Sequence, residues 1–249
     1  MSVLHMHLFR TLFVVTVVVT IDRSGRSTTI VGISTKDSVF LGADSMAALD
    51  GATAVVHMCK ISVGDNSAAA MAGHLADSAT SFDAATLVRR ALSTPGDLAA
   101  KDRAFEKLVR QPLQQSLDYG RQHVPLLFAS KYAGKKALQA IFAAVEGRKP
   151  KLIVSTFRVT ENGGLTLDEP KELGSGQVYV FGENAAIAKY QTENPSWNWA
   201  EPDTIIRKFL ALEIENEPNL VGAPVSIIRI TSVDKQWIEP GQCASSQSH

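Results

Sequence analysis

The sequence predicts an α+β fold in which two antiparallel sheets pack face to face with helices on the outside. Three observations predict it: a β-prone run with turn residues after position 28, two helical apolar stripes between residues 77 and 121, and the succession of strands, two helices, strands, two helices and a last strand. Thr28 and Thr29 open TTIVGISTKDSVFLGADS, in which Ile30 to Ile33 and Ser38 to Leu41 read as strands around the turn Lys36-Asp37. Lys60 to Val63 forms a third apolar stretch closed by Gly64-Asp65-Asn66, and Ala68 to Ala72 continues it before Gly73. Asp77 to Leu92, with Phe82, Ala85, Leu87 and Leu92 among polar residues, reads as an amphipathic helix ended by Ser93-Thr94-Pro95-Gly96. Asp97 opens a second helix with a stripe of Leu98, Phe105, Leu108, Val109 and Leu113, bent at Pro112 and running towards Arg121. Strands follow at Leu138 to Val145, Lys151 to Val159 and Val178 to Phe181, then helices at Asn184 to Thr192 and Asp203 to Asn216, then a strand at Val225 to Thr231.

Composition describes an ordinary globular enzyme. About 220 residues follow Thr28, enough for one large core, and 45% of the chain is hydrophobic. Lysine plus arginine equals aspartate plus glutamate at 25 each, and no basic run or aromatic platform points to nucleic acid. Cys59 adjoins Lys60 and Cys243 lies in a polar tail, so no disulfide framework is implied. The tail from Gln242 to His249 reads as disordered. His57 and His74 flank the motifs without a third ligand at metal spacing, and neither a metal nor a cofactor is expected.

Spacing carries the chemistry. Asp44 lies sixteen positions after Thr28, and Lys60 sixteen after Asp44. A threonine hydroxyl is a weak nucleophile until a base takes its proton. An unblocked N-terminal threonine carries its own base, an α-amine of pKa about 7.7 to 8.0, against about 10.4 for lysine. A cationic Lys60 then favours the alkoxide of Thr28, and Asp44 holds the lysine and offsets the cost of burying it. The scheme requires Thr28 to be the first residue. Taken singly, Thr28 is as readily a strand residue, Asp44 and Lys60 a structural ion pair, and the glycines turn residues. Their joint presence argues for a site.

The segments TTIVGI, GADS, the lysine of CKISV, MAGHLADS and ELGSGQVYVFG together resemble the β-type subunits of the proteasome and related bacterial threonine peptidases, over about Thr28 to Thr231. The resemblance implies an αββα sandwich, the N-terminal nucleophile hydrolase fold. Carried over by position, it implies Thr28 as nucleophile, Asp44 and Lys60 as its polar partners, the Gly73 N–H in the oxyanion hole, and Ser175 of Gly174-Ser175-Gly176 as the serine that bonds the terminal amine. It also implies a first specificity pocket lined by Ala47, Met58, Ser62, Met71 and Leu75, mainly apolar and suited to an apolar or aromatic residue before the scissile bond. Both methionines equally suit plain core filling. The family's Asp and Ser ahead of the last core strand are missing, with Pro218, Asn219, Leu220 and Val221 in their place, and Asn219 is the candidate substitute. Ser27 stands where many precursors have Gly before the threonine.

The N-terminal segment offers a route to the free threonine. Leu12 to Ile21 is an apolar run of ten residues, too short for a membrane span of about 20 but suited to a signal-peptide core, and Gly25-Arg26-Ser27 has small-x-small character. Removal of residues 1–27 leaves a hydrolase domain over 28–241 and a tail over 242–249. The protein is exported if 1–27 is a signal peptide and cytoplasmic otherwise; a self-cleaved propeptide, a misassigned start and an apolar strand kept in the fold stay open. Three functions remain: a threonine-type endopeptidase acting on peptides or proteins, made as a zymogen; an amidohydrolase of small amides with the same nucleophile; and a non-catalytic ring subunit. The resemblance further implies a homo-oligomeric ring.

Overall fold

The computed structural model describes residues 17–19, 28–48, 55–194 and 201–247. In chain order these form β1 (Val17–Val19), β2 (Thr29–Ser34), β3 (Val39–Ala43), β4 (Met46–Ala48), β5 (Val55–His57), β6 (Ile61–Val63), β7 (Ser67–Gly73), β8 (Ala76–Asp77) and β9 (Phe82–Asp83). Helices α1 (Ala84–Leu92), α2 (Leu98–His123) and α3 (Pro125–Lys131) follow. Then come β10 (Lys136–Glu146), β11 (Lys149–Val159), β12 (Leu165–Leu167), β13 (Lys171–Leu173), β14 (Val178–Gly182), α4 (Ala185–Glu193), α5 (Pro202–Asn216), β15 (Ser226–Ile230), β16 (Lys235–Glu239) and a 3-10 turn over Gly241–Gln247.

Two six-stranded sheets dominate, one in the order β1-β14-β2-β3-β15-β16 and the other running β12-β11-β10-β7-β6 with β13 paired to β11. All pairings are antiparallel except β1 beside β14. The period of two along each strand sorts the apolar side chains into three clusters. Val39, Leu41 and Ala43 of β3 join Ala68, Ala70 and Ala72 of β7 and Ile141 of β10 in a cluster fed by both sheets. The alternate residues of β7 and β10, among them Met71 and Phe142, join Val88 of α1 and Phe105, Val109 and Leu113 of α2. On the other sheet Val31, Ile33, Phe40 and Val180 meet Ile187 of α4 and Ile206 and Phe209 of α5. Gly42 makes that last contact possible, because a Cβ there would overlap the Ile206 side chain. The chain is thus a mixed fold of antiparallel sheets and five α-helices among the described residues, as the α+β prediction requires.

Several expectations are corrected. The helix predicted from Asp77 starts only at Ala84, because the Asp77 carboxylate accepts from the Ala79 N–H (2.9 Å) and the Thr80 hydroxyl (2.7 Å) and turns the chain into the β8–β9 hairpin. Asp83 then caps α1, accepting from Ala85 N–H at 2.9 Å. Helix α2 continues through Pro112 to His123, and α3, β12 and β16 lie in stretches to which the sequence reading assigns no element. The signal-peptide reading is not supported: in the full-length chain Val17–Val19, inside the apolar run, pairs in parallel with Val178–Val180 as an edge strand. The rest of Leu12 to Ile21, and the Ser27 junction, lie outside the described residues.

The C-terminus is corrected as well. Cys243 is fully buried and forms a disulfide with Cys59 across 184 positions, so a tail read as disordered is anchored beside Lys60. Spacing could not show this pairing, since one residue lies before the second sheet and the other after the last strand of the first. Among the described residues no helix is long and apolar enough to cross a membrane.

Candidate active site

The hairpin of β2 and β3 brings the ends of both strands together and places Asp44 beside Thr29, whose N–H donates to Asp44 Oδ1 at 2.8 Å. Lys60, entering β6 from the second sheet, donates from Nζ to the same oxygen at 2.8 Å, and both side chains are wholly buried. Asp44 Oδ2 accepts from the Met46 N–H at 3.0 Å and the Gly222 N–H at 3.2 Å, while Lys60 Nζ also donates to the Met46 carbonyl. Four donors on one carboxylate, and a second acceptor on the ammonium, are what two buried charges need. Burial still dominates both titrations. It lowers Lys60 to about 8 against the pull of Asp44, and raises Asp44 above its usual value against Lys60 and its backbone donors.

Thr28 is 2% exposed at the start of this constellation, one residue before the amide that Asp44 binds. Its carbonyl accepts from the Glu183 N–H at 2.7 Å, and the Thr29 hydroxyl donates back to the Glu183 carbonyl at 2.8 Å. Gly182 (φ +84°) allows this approach, since a Cβ there would overlap the Thr28 carbonyl. The loop ahead of β15 closes the other side through Gly222, whose carbonyl accepts from the Ser45 N–H at 3.0 Å. Gly182, Glu183, Ser45 and Gly222 were all missed in the sequence. Gly182 closes the quoted segment ELGSGQVYVFG, but the sequence reading gives it no role.

Gly73 reaches the same end of the second sheet. The Met71 N–H donates to the Lys60 carbonyl at 3.3 Å, and strand alternation turns the Gly73 N–H, two residues on, to the same edge, where Met58 and Cys59 lead into β6. Gly73 has φ +110°, and a Cβ would overlap the Ala137 carbonyl.

Ser175 is not brought to the site. Its hydroxyl donates to the Thr35 carbonyl at 2.6 Å, and Gly176 N–H donates to the Ser34 carbonyl at 2.7 Å. These are at the far end of β2, about 20 Å from Thr28 over six strand residues. The reason is antiparallel pairing: residues before β14 meet the end of β2, and those after it meet the start. Asn219 is exposed, and the loop contacts Asp44 through Gly222 instead.

The pocket candidates divide. Met71, 2% exposed, and Leu75, half-buried, pack into the helix-side cluster, and Ser62 pairs with Ala69 on the neighbouring strand. Ala47 pairs with Val56 in the β4–β5 hairpin, and half-buried Met58 donates its N–H to Ser45 carbonyl at 2.8 Å. Of the histidines, exposed His57 meets the Ser45 hydroxyl at 2.9 Å, and His74 is buried among Ser116, Tyr132 and Phe82. Among the described residues there is no group of three or more His, Cys, Asp or Glu side chains that could hold a metal ion.

No family model and no curated protein matches the chain. Among solved structures it is similar to a mutant of Anbu from Hyphomicrobium sp. strain MC1, at 15% identity and TM-score 0.55 over 85% of this chain and 87% of that one. The resemblance to proteasome β-type subunits and their bacterial threonine-peptidase relatives is corrected by these findings: the similarity is to Anbu, at an identity that establishes a shared fold and no family membership.

Proposed function

We propose that the protein is a threonine-type endopeptidase whose nucleophile, Thr28, becomes N-terminal when residues 1–27 are removed. The observation that carries this reading is the wholly buried Asp44–Lys60 pair, whose carboxylate also holds the amide next to Thr28. A buried pair of opposite charges is costly to keep, and here it lies one residue along the chain from a threonine whose hydroxyl needs activation. The three apolar clusters support the four-layer αββα arrangement in which such a site lies between two sheets.

The chemistry follows from these residues. The freed α-amine of Thr28 takes the hydroxyl proton as Oγ1 attacks the peptide carbonyl, and the ammonium of Lys60 lowers the energy of the alkoxide. The Gly73 N–H receives the developing oxyanion. The protonated amine passes its proton to the leaving amine, leaving an ester on Thr28. Water attacks that ester, the α-amine takes its proton, and the acid product leaves with the hydroxyl restored. Metal and cofactor have no part in this scheme. Assembly as a homo-oligomeric ring belongs to the same proposal, with exposed Leu126 and Leu127 of α3 as apolar surface for it.

The test is the mature N-terminus, by intact mass and N-terminal sequencing, followed by peptide hydrolysis. A start at Thr28, and activity lost in Thr28→Ala, support the proposal. An internal Thr28 in the active or purified form overturns it, and turnover confined to small acyl amides moves the assignment to an amidohydrolase.

A further inference from the structure

Next to Gly73 the sequence places a histidine that the scheme above does not use. His74 is 8% exposed, stacks on Phe82 with ring centroids 5.4 Å apart at 5°, and donates its N–H to the Ala137 carbonyl at 2.7 Å. Its Nε2 lies 2.7 Å from Ser116 Oγ on α2, and its Nδ1 lies 3.0 Å from the Tyr132 hydroxyl at the end of α3. Ser116 Oγ in turn donates to Asp77 Oδ2 at 2.7 Å.

The protons in this chain can be placed by counting. A serine hydroxyl has one proton, and Asp77 takes it. Ser116 Oγ must therefore accept from His74 Nε2–H, while Nδ1 lies against the Tyr132 hydroxyl. Burial works to raise Asp77, but donation from Thr80, Ser116 and Ala79 and the nearby His74 outweigh it and hold the carboxyl below its usual range, so the chain ends on an anion. The direction is fixed from His74 through Ser116 to Asp77, with Tyr132 holding the other ring nitrogen.

We propose that His74 is a positioning residue, and that this directed chain sets the Gly73 N–H in place for the oxyanion. The proposal rests on the Thr28 mechanism. Its physical content is simple. Gly73 has no side chain to fix its peptide, and φ of +110° is one of the many conformations open to glycine. The imidazole one residue on is held at both ring nitrogens by groups from α2 and α3, so the helices anchor the turn. A donor preset where charge develops acts on the transition state more than on bound substrate.

The test uses the mature protein with Ser116→Ala and Tyr132→Phe, each of which removes one link and leaves the His74–Phe82 stack, together with Thr28→Ala. The expected result is a fall in kcat of about tenfold for each link with KM unchanged, as a displaced oxyanion donor gives less than the 10²- to 10³-fold loss of a deleted one. A peptide aldehyde, whose hemiacetal oxygen occupies the oxyanion position, should lose affinity by the same factor, while a product peptide should bind as before. Nitrogen-15 spectra should show His74 Nε2 protonated, with the Gly73 amide resonance shifted in both variants. Unchanged kcat in both variants, a parallel rise in KM, or an unprotonated His74 Nε2 overturns the positioning role while leaving Thr28 as nucleophile. Wild-type turnover equal to that of Thr28→Ala overturns the mechanism itself, and the positioning role with it.

Discussion

Under the proposed mechanism Lys60 has two tasks that draw in opposite directions. Holding it as a cation favours the Thr28 alkoxide, yet burial lowers its pKa to about 8, within reach of an α-amine at about 7.7 to 8.0. Activity needs the amine neutral and the lysine charged, so kcat/KM should follow a narrow bell centred near pH 8, with the acid limb from the amine and the basic limb from Lys60. Lys60→Arg keeps its charge at every accessible pH and should remove the basic limb, at a cost of at least about tenfold in rate because a planar guanidinium does not reproduce the ammonium's bonds to Asp44 and the Met46 carbonyl. A pH–rate series on both proteins checks this. Asp44→Ala strands the buried ammonium and should lower unfolding free energy by about 3 to 5 kcal/mol, measured by urea denaturation.

At the scale of elements, the β14–α4 junction works because its turn is a glycine. Gly182→Ala forces a Cβ against the Thr28 carbonyl at a positive φ, and should cost about 2 kcal/mol or more and most of the activity. Thermal melts and turnover of the variant decide it. Helix α2 meets the second sheet through another polar contact: Ser155 of β11 donates to Asp102 Oδ1 at 2.6 Å and lies 3.2 Å from Glu106 Oε1. Burial raises Asp102 to about 6, against donation from Ser155. Its unfolded value is near 3.9, so the folded state holds the proton more tightly between about pH 4 and 6. The carboxyl therefore costs nothing extra below pH 4, its charge penalty builds as pH rises from about 4 to 6, and it is complete above 6. Asp102→Asn should raise the melting temperature at pH 7.5, by on the order of 1 kcal/mol in stability, and lose that advantage at pH 4.

For the molecule as a whole, the Cys59–Cys243 bridge closes the longest covalent loop and fixes the C-terminal turn against the strand that delivers Lys60. A loop of this length implies a stabilisation of about 3 to 5 kcal/mol in the oxidised protein. Cys243→Ser should lower the urea midpoint accordingly, and dithiothreitol should do the same to the wild type while leaving the variant unmoved. The three clusters, by contrast, follow from alternation within strands, and the balance of burial between the two sheet faces was legible in runs such as Ala68 to Ala72, apolar on both sides.

The sequence by itself determined the local facts: the main strands and long helices, through periodicity and turn residues, and a spacing of Thr28, Asp44 and Lys60 that one hairpin and one further strand turn into an Asp44–Lys60 pair beside the Thr29 amide. Only the tertiary structure decided what depends on strand direction and register. Antiparallel pairing of β14 with β2 sent Ser175 to the far end of the sheet and brought Gly182 and Glu183 to Thr28, and the loop ahead of β15 supplied Gly222 to Asp44 by a backbone amide that no residue type announces. The disulfide and the edge strand Val17–Val19 were hidden for the same reason: their partners lie more than 150 residues away, and a short apolar run or a single cysteine does not say which segment it will meet.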